Sequence, residues 1–101
     1  MLPNRFSITQ KAEERLKREK AVTGLSTNIA SRLLFWRSIE RGEKVEVTHN
    51  IEPGKMHLEK TVWLGESQTA TETILLNKYP GRTPDEHAIL FALHVESGLS
   101  N

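Results

Sequence analysis

The segment TNIASRLLFWRSIE, residues 27–40, constrains the fold more than any other part of this sequence. On a helical wheel Ile29, Leu33 and Trp36 form one stripe, whereas Phe35 falls on a different side. A helix that is apolar on nearly every side must be buried on nearly every side. The sequence therefore predicts that a second copy of the chain packs on this helix. The residues predicted to form the core and the subunit interface are Ile29, Leu33, Leu34, Phe35 and Trp36.

Charge is distributed unevenly over the 101 residues. Residues 1–44 carry ten Lys and Arg against five Glu, a net charge of +5, whereas residues 45–101 carry four against eight acids, a net charge of −4. The length predicts a single domain, 1–101, in which the acidic half packs on the basic half. A basic half of this kind favours a polyanionic partner.

Composition excludes several classes of chemistry. The sequence contains no cysteine, which rules out disulfides, thiol catalysis and thiolate-bound zinc or iron–sulfur clusters in this chain. No run approaches the roughly 20 apolar residues of a membrane span, and the N-terminal residues lack the apolar segment of a signal peptide. We therefore expect a cytoplasmic protein with no membrane association.

Local signals predict a short strand and two helices in the N-terminal half. The alternation in RFSI, residues 5–8, is typical of a strand, and Thr9 is a suitable N-cap for a helix over residues 10–23. Gly24 would end that helix in a left-handed conformation, and Ser26 would cap the next one.

The C-terminal half predicts a β-hairpin and two further helices. KVEVTHNI and KMHLEKTVW alternate on either side of an EPG turn signal, which indicates the hairpin. A helix should follow Gly65 and end near Pro80, and a last helix should begin at Thr83–Pro84 and end at Gly98. The predicted fold class is mainly α.

Catalytic and metal-binding motifs are missing from the sequence. It contains no phosphate-binding glycine loop, HExxH, EF-hand or GxSxG pattern, and the spacing of its four histidines matches no known metal site. We therefore predict no catalytic residues, no metal and no cofactor, and we do not expect an enzyme.

The basic residues provide the main functional signal. Lys11, Arg15 and Arg18 recur at i, i+4 and i+7 on one stripe of the first predicted helix, which suits contacts to phosphates without reading of sequence. The start of the second helix adds free backbone N–H groups, which favour anions. The predicted DNA-contacting residues are Arg5, Lys11, Arg15, Lys17, Arg18, Lys20, Ser26, Thr27, Asn28 and Arg32.

The order of elements supports this interpretation. A short strand, a helix, a TGLS turn and a buried helix follow one another as in ribbon-helix-helix DNA-binding proteins, in which two copies pair their strands and bury the second helix. Arg5 and Ser7 would then face DNA. Glu19 and Lys20 stand where that family is usually more apolar, which favours backbone binding over major-groove readout.

The segments LKREKAVTGLSTNIASRLLFWRSIERG, TVWLGE and HAILFALHVESGL resemble the DndE family of bacterial DNA sulfur-modification (phosphorothioation) proteins. The shared pattern includes the Thr23–Leu25 turn, Asn28, Arg32, Gly65–Glu66 and the closing His94 to Gly98. This resemblance implies an accessory protein that binds double-stranded DNA as a homo-oligomer, a dimer or a tetramer. It also implies contacts with the other proteins of the sulfur-modification system.

Three other functions remain open from the sequence. A ribbon-helix-helix transcription regulator would bind a palindromic operator specifically. A scaffold would recruit the other modification proteins through its acidic half and would not bind DNA at physiological salt. A nuclease would need an acidic or histidine site that the sequence does not display.

Overall fold

The computed structural model describes residues 1–48 and 50–100 and confirms the mainly helical fold. In chain order the elements are β1 (Arg5–Phe6), α1 (Gln10–Thr23), α2 (Thr27–Glu40), β2 (Leu58–Glu59), α3 (Lys60–Leu64), a 3-10 turn (Gly65–Ser67), α4 (Gln68–Lys78) and α5 (Pro84–Gly98). Among the helices of these two ranges, none is both long and apolar enough to cross a bilayer.

Capping residues set the helix ends that the sequence predicted. The Thr9 hydroxyl accepts a hydrogen bond from the backbone N–H of Ala12 at 3.2 Å and starts α1. Gly24 ends the same helix with φ of +72°, a conformation that costs glycine little. At the start of α5, the Thr83 N–H donates to the Glu86 carboxylate at 2.9 Å, and the Glu86 N–H donates to the Thr83 hydroxyl at 3.1 Å.

The core forms where α5 packs on α2. Phe35 of α2 and Phe91 of α5 are both fully buried, and their rings stack with centroids 5.0 Å apart. Near the end of α5 the two backbones come so close that a Cβ atom at Gly98 would collide with the carbonyl group of Leu34. The helix that the sequence left without a partner is therefore covered on one face by α5 of its own chain.

Within a single chain α2 is not buried on nearly every side, and the packing of a second copy on it stays a prediction. Phe35 is buried, and Leu34 and Trp36 are half-buried against the core, but Ile29 and Leu33 are 41% and 59% exposed. The sequence pattern missed the role of α5 because a wheel shows that a face is apolar, not which element covers it.

The predicted β-hairpin is also wrong. Residues 43–48 and 50–57 form no regular strand, Leu58 and Glu59 form β2, and α3 begins at Lys60; His49 lies outside the described residues. Backbone groups in this region pair with the N-terminal segment instead of with one another. The N–H of Gln10 donates to the carbonyl of Glu52 at 2.9 Å, and the N–H of Gly54 donates to the carbonyl of Ile8 at 2.8 Å.

The N-terminal strand finds its partner within the same chain. β1 pairs antiparallel with β2, with Arg5 opposite Glu59 and Phe6 opposite Leu58. The indole N–H of Trp63 also donates to the Phe6 carbonyl at 2.8 Å. This pairing departs from the ribbon-helix-helix arrangement, in which the strand pairs with that of a second copy, because the C-terminal half supplies the partner strand here.

The contact between α2 and α5 yields a stability prediction. Gly98→Ala should lower the free energy of unfolding by about 1–3 kcal/mol, because the added methyl group must push α5 away from the α2 backbone. Urea unfolding monitored by circular dichroism measures this loss. The neighbouring variant Ser100→Ala, at an exposed position beyond the helix, should unfold like the wild type. Equal stability of Gly98→Ala and wild type would contradict the close contact.

Candidate nucleic-acid interface

Three of the predicted DNA-contacting residues line one groove. Lys11, Arg15 and Arg18 project from α1 into a cleft of about 440 Å³ between α1 and the C-terminal end of α5. Val45 and Leu99 contribute to the other side of this cleft. The spacing at i, i+4 and i+7 aligns the three cations because α1 is helical throughout. We call this row of Lys11, Arg15 and Arg18 the α1 cationic row.

Most of the positive charges on α1 remain available to an anionic ligand. Arg15 forms an ion pair with Glu19 at 3.2 Å, and both side chains are nearly half exposed. Such a surface pair contributes little energy, so a phosphate can replace the carboxylate. Within residues 1–48 and 50–100, Lys11, Arg18 and Lys20 have no carboxylate partner within 4.0 Å.

The carboxylate of Glu13 fixes α1 to the segment before β2. It is 2% exposed and accepts hydrogen bonds from the backbone N–H groups of Met56 at 2.8 Å and Lys55 at 3.3 Å. Lys17 reaches the same carboxylate at 3.3 Å, so this predicted DNA-contacting lysine is already paired. A Cβ atom at Gly54 would lie only 2.5 Å from the Glu13 carboxylate, which explains the glycine. The sequence indicated only a first-turn acid here.

Protonation of Glu13 should destabilise the fold. Burial raises the pKa of this carboxyl group, but the hydrogen bonds from Met56 and Lys55 and the ion pair with Lys17 outweigh it and hold the pKa below 4.5. A lowered pKa means that the stabilisation is complete above pH 4.5 and is lost as the pH falls through the folded-state value.

Glu13→Gln tests this arrangement. The variant should lose about 1–3 kcal/mol of unfolding free energy at pH 7, because an amide does not supply a charged acceptor for two N–H groups. The difference from the wild type should shrink as the pH falls from 4.5 through the lower folded-state pKa of Glu13. Urea unfolding at pH 7 and pH 3 measures both quantities. The exposed neighbour Glu14→Gln is the matched control, and an equal loss in both variants would contradict the assignment.

Two other predicted contact residues hold α3 in place. Asn28 donates a hydrogen bond to the Val62 carbonyl at 3.1 Å. Arg32 donates to the carbonyls of Trp63 at 2.7 Å and Val62 at 2.8 Å. These bonds satisfy carbonyl groups at the end of a short helix. Gly65 follows with φ of +52°, and a Cβ atom there would approach the Arg32 guanidinium to 2.8 Å.

The remaining predicted contacts lie elsewhere. Ser26 occupies the N-cap position of α2, but its side chain makes no capping hydrogen bond, which corrects the predicted cap. Thr27 is buried, and its carbonyl accepts a bond from the Ser31 hydroxyl at 2.7 Å. Arg5 is exposed and donates to the His57 carbonyl at 3.0 Å. The structure thus places Lys11, Arg15 and Arg18 along one groove. Asn28 and Arg32 are not among the residues of this groove, because they bond to the carbonyls of α3.

Sequence and structure comparisons agree on one family. The pattern of the family described as "DNA sulphur modification protein DndE" matches residues 5–101. The chain is also similar to the crystal structure of DndE from Escherichia coli B7A involved in DNA phosphorothioation modification. The two share 39% identity over 97% of this chain and 95% of that one, with a TM-score of 0.89. The chain belongs to the DndE family.

A second solved DndE structure gives the same result. It is the crystal structure of a G21/24K mutant involved in DNA phosphorothioation, with 37% identity, coverage of 96% of this chain and 93% of that one, and a TM-score of 0.81. A search of curated protein sequences found no match.

This DndE-family chain also contains a buried polar network that the sequence did not indicate. The two ring nitrogens of His94 contact the Ser38 hydroxyl at 2.8 Å and the Tyr79 hydroxyl at 2.7 Å. The Val45 N–H donates to Tyr79 at 3.0 Å, and the Ser38 hydroxyl donates to Glu43 at 3.1 Å. A neutral His94 satisfies the whole chain when its Nδ1–H donates to Ser38 and its Nε2 accepts from Tyr79.

This network joins elements rather than forming a reactive site. Ser38 and His94 are both completely buried, so no substrate can reach the serine hydroxyl. In the described part of the chain, no three His, Cys, Asp or Glu side chains are placed to hold a metal ion. The only sequence signal for burial of His94 was its position among apolar residues of α5.

The network makes stability depend on pH. Burial, together with the nearby charge of Lys78, lowers the pKa of His94 from 6.5 to about 4, although Glu43 acts in the opposite direction. The unfolded chain therefore binds a proton at a higher pH than the folded chain. As the pH is lowered from 6.5 to 4, the unfolding free energy should therefore decrease, by at most about 1.4 kcal/mol per pH unit.

Urea unfolding across this pH range provides the measurement. His94→Gln should be less stable than the wild type at pH 7, and its stability should depend less on pH between 6.5 and 4. The exposed variant His57→Gln is the control and should keep the wild-type pH profile. An unchanged profile in His94→Gln would show that another group causes the dependence.

Proposed function

We propose that this chain is a DNA-binding component of a DNA phosphorothioation system that contacts the phosphate backbone and acts as a homo-oligomer. Family membership supports the assignment to a phosphorothioation system, because the DndE relatives of known structure are described as involved in DNA phosphorothioation. The chain contributes binding, not sulfur transfer, in this proposal. It contains no cysteine that could carry sulfur as a persulfide.

The α1 cationic row is the observation that supports DNA binding in this proposal. Its three side chains line one groove, and two of them, Lys11 and Arg18, have no carboxylate partner within the described ranges. Cations that are fixed to a helix at this spacing neutralise phosphates and release the counterions that DNA had condensed. At 100° per residue, Lys17 and Lys20 lie on other sides of α1, so the proposal relies on Lys11, Arg15 and Arg18.

Contacts of this kind carry no sequence information. The proposal therefore predicts similar affinity for duplexes of different sequence. A ribbon-helix-helix regulator is supported less well, because β1 pairs with β2 and Arg5 already bonds to the carbonyl of His57. Asn28 and Arg32 have a structural task at the end of α3, so the proposal does not rely on them for DNA contacts.

The test is a salt titration. Fluorescence anisotropy on a random-sequence duplex should show affinity falling with salt, with a log–log slope of about −0.9 per phosphate contacted. Lys11→Gln/Arg18→Gln should bind more weakly on every sequence, and its slope should be shallower by about 1.8 because two phosphate contacts are lost.

The control is Lys44→Gln/Lys55→Gln, which removes the same charge from exposed positions outside α1. It should bind DNA with nearly the wild-type slope. Equal losses in the two double variants would mean that net charge alone determines binding. Absence of binding by the wild type at low salt would reject DNA binding and leave the scaffold function.

A further inference from the structure

The groove beside the α1 cationic row also has an apolar side. Val45, Leu93 and Leu99 line it together with the cations of the row. Each of these apolar side chains is half-buried, so part of it stays open to the groove. We call Val45, Leu93 and Leu99 the apolar wall. A phosphate oxygen placed against such a wall loses water without gaining a hydrogen bond, which is unfavourable.

Contacts on both sides hold the apolar wall in place. The backbone N–H of Val45 donates to the Tyr79 hydroxyl at 3.0 Å, and Arg41 donates to the Ser100 carbonyl at 2.8 Å, directly after Leu99. Val45 and Leu99 also pack against the core. The wall is therefore formed before any ligand arrives, and binding does not have to order it.

The charge of the groove still favours an anion. Among the described residues that line it, Glu96 is the only acid, against the three cations of the α1 cationic row. The Glu96 carboxylate already accepts a hydrogen bond from the Thr9 hydroxyl at 2.9 Å. The groove thus combines an excess of positive charge with an apolar surface. The ligand that suits both is an anion with one weakly hydrated atom.

A phosphorothioate diester has this combination. Replacement of one non-bridging oxygen by sulfur keeps the single negative charge, but sulfur is larger, more polarizable and a weaker hydrogen-bond acceptor than oxygen. Contact with apolar side chains therefore costs the sulfur atom less than it costs an oxygen atom. The DndE relatives of known structure are described as involved in DNA phosphorothioation, so this diester is the product of the system to which we assign the chain.

We propose that the groove binds phosphorothioate DNA in preference to unmodified DNA. The sulfur atom contacts the apolar wall, and the remaining non-bridging oxygen faces the α1 cationic row. This inference rests on the proposed function and deepens it, because the chain then binds the product of sulfur transfer more tightly than its substrate. The wall lies on one side of the groove, so only one of the two phosphorothioate diastereomers places both atoms correctly.

Competition binding among three duplexes of one sequence tests the preference. The first duplex is unmodified, and in each of the others every linkage of one strand is a phosphorothioate of a single diastereomer, so that sulfur is present wherever the protein binds. One diastereomer should bind about fourfold more tightly than the unmodified duplex, the factor expected when a group of methylene size leaves water. The other should bind like the unmodified duplex.

Salt dependence separates apolar contact from charge. The three duplexes carry the same charge, so their titrations should have the same log–log slope, and the preference should persist as the salt concentration rises. A preference that disappears at high salt would mean that charge distinguishes the duplexes, and it would overturn the inference.

Val45→Thr tests the apolar wall with little change in side-chain shape. The added hydroxyl should reduce the preference to about twofold or less, while affinity for the unmodified duplex stays unchanged. Val47→Thr is the matched control, because Val47 is also half-buried against the core but does not line the groove. Leu93→Ser repeats the test on α5. Its control is Ile89→Ser, one turn earlier, half-buried and outside the groove.

The remaining outcomes separate this inference from the proposed function. Equal binding of all three duplexes would overturn the inference and leave the DNA-binding proposal intact. Absence of binding to any of them at low salt would reject the proposed function itself. A full preference in both Val45→Thr and Leu93→Ser would show that the sulfur atom does not contact the apolar wall.

Discussion

The contact between α2 and α5 determines where the other elements can lie. Glycine at position 98 lets the backbone of α5 reach the Leu34 carbonyl, and this distance allows the rings of Phe35 and Phe91 to stack at 5.0 Å. Polar bonds extend the same contact beyond the helices. Arg41, just after α2, donates to the carbonyls of Ser97 at 2.7 Å and Ser100 at 2.8 Å, which ties the following segment to the end of α5. That segment supplies Val45 to the groove beside the α1 cationic row.

Cations in this chain divide into structural and available groups. Arg32 and Arg41 use their guanidinium groups to satisfy carbonyls at the ends of helices, and Lys17 is paired with the buried carboxylate of Glu13. Lys11 and Arg18 have no such partner in the described ranges. A phosphate would compete with existing bonds at the first group but only with water and ions at the second, so charge alone overstates the number of candidate phosphate contacts. The proposed function therefore relies on the α1 cationic row.

Helix ends were more predictable than the pairing of the segment between α2 and α3. Thr9, Gly24 and Thr83 are local signals, since each acts on backbone groups within a few residues, and the helix ends at these positions match the prediction. The prediction of a hairpin failed because backbone N–H groups in this segment bond to residues that are distant along the chain. Their acceptors include the Ile8 carbonyl and the Glu13 carboxylate. Alternation records which side chains are apolar, and it contains no information on which carbonyl or carboxylate will accept a given N–H group.

For the candidate interface, the sequence by itself determined the alignment of Lys11, Arg15 and Arg18, because the helical repeat alone places them on one stripe. It also showed that α2 is apolar on more than one side. Only the tertiary structure decided that α5 covers one of those sides and that Asn28 and Arg32 serve α3 instead of a ligand. The physical reason is range: helical periodicity and caps depend on neighbours within about four residues. Burial and hydrogen-bond partners depend instead on residues that are far apart along the chain.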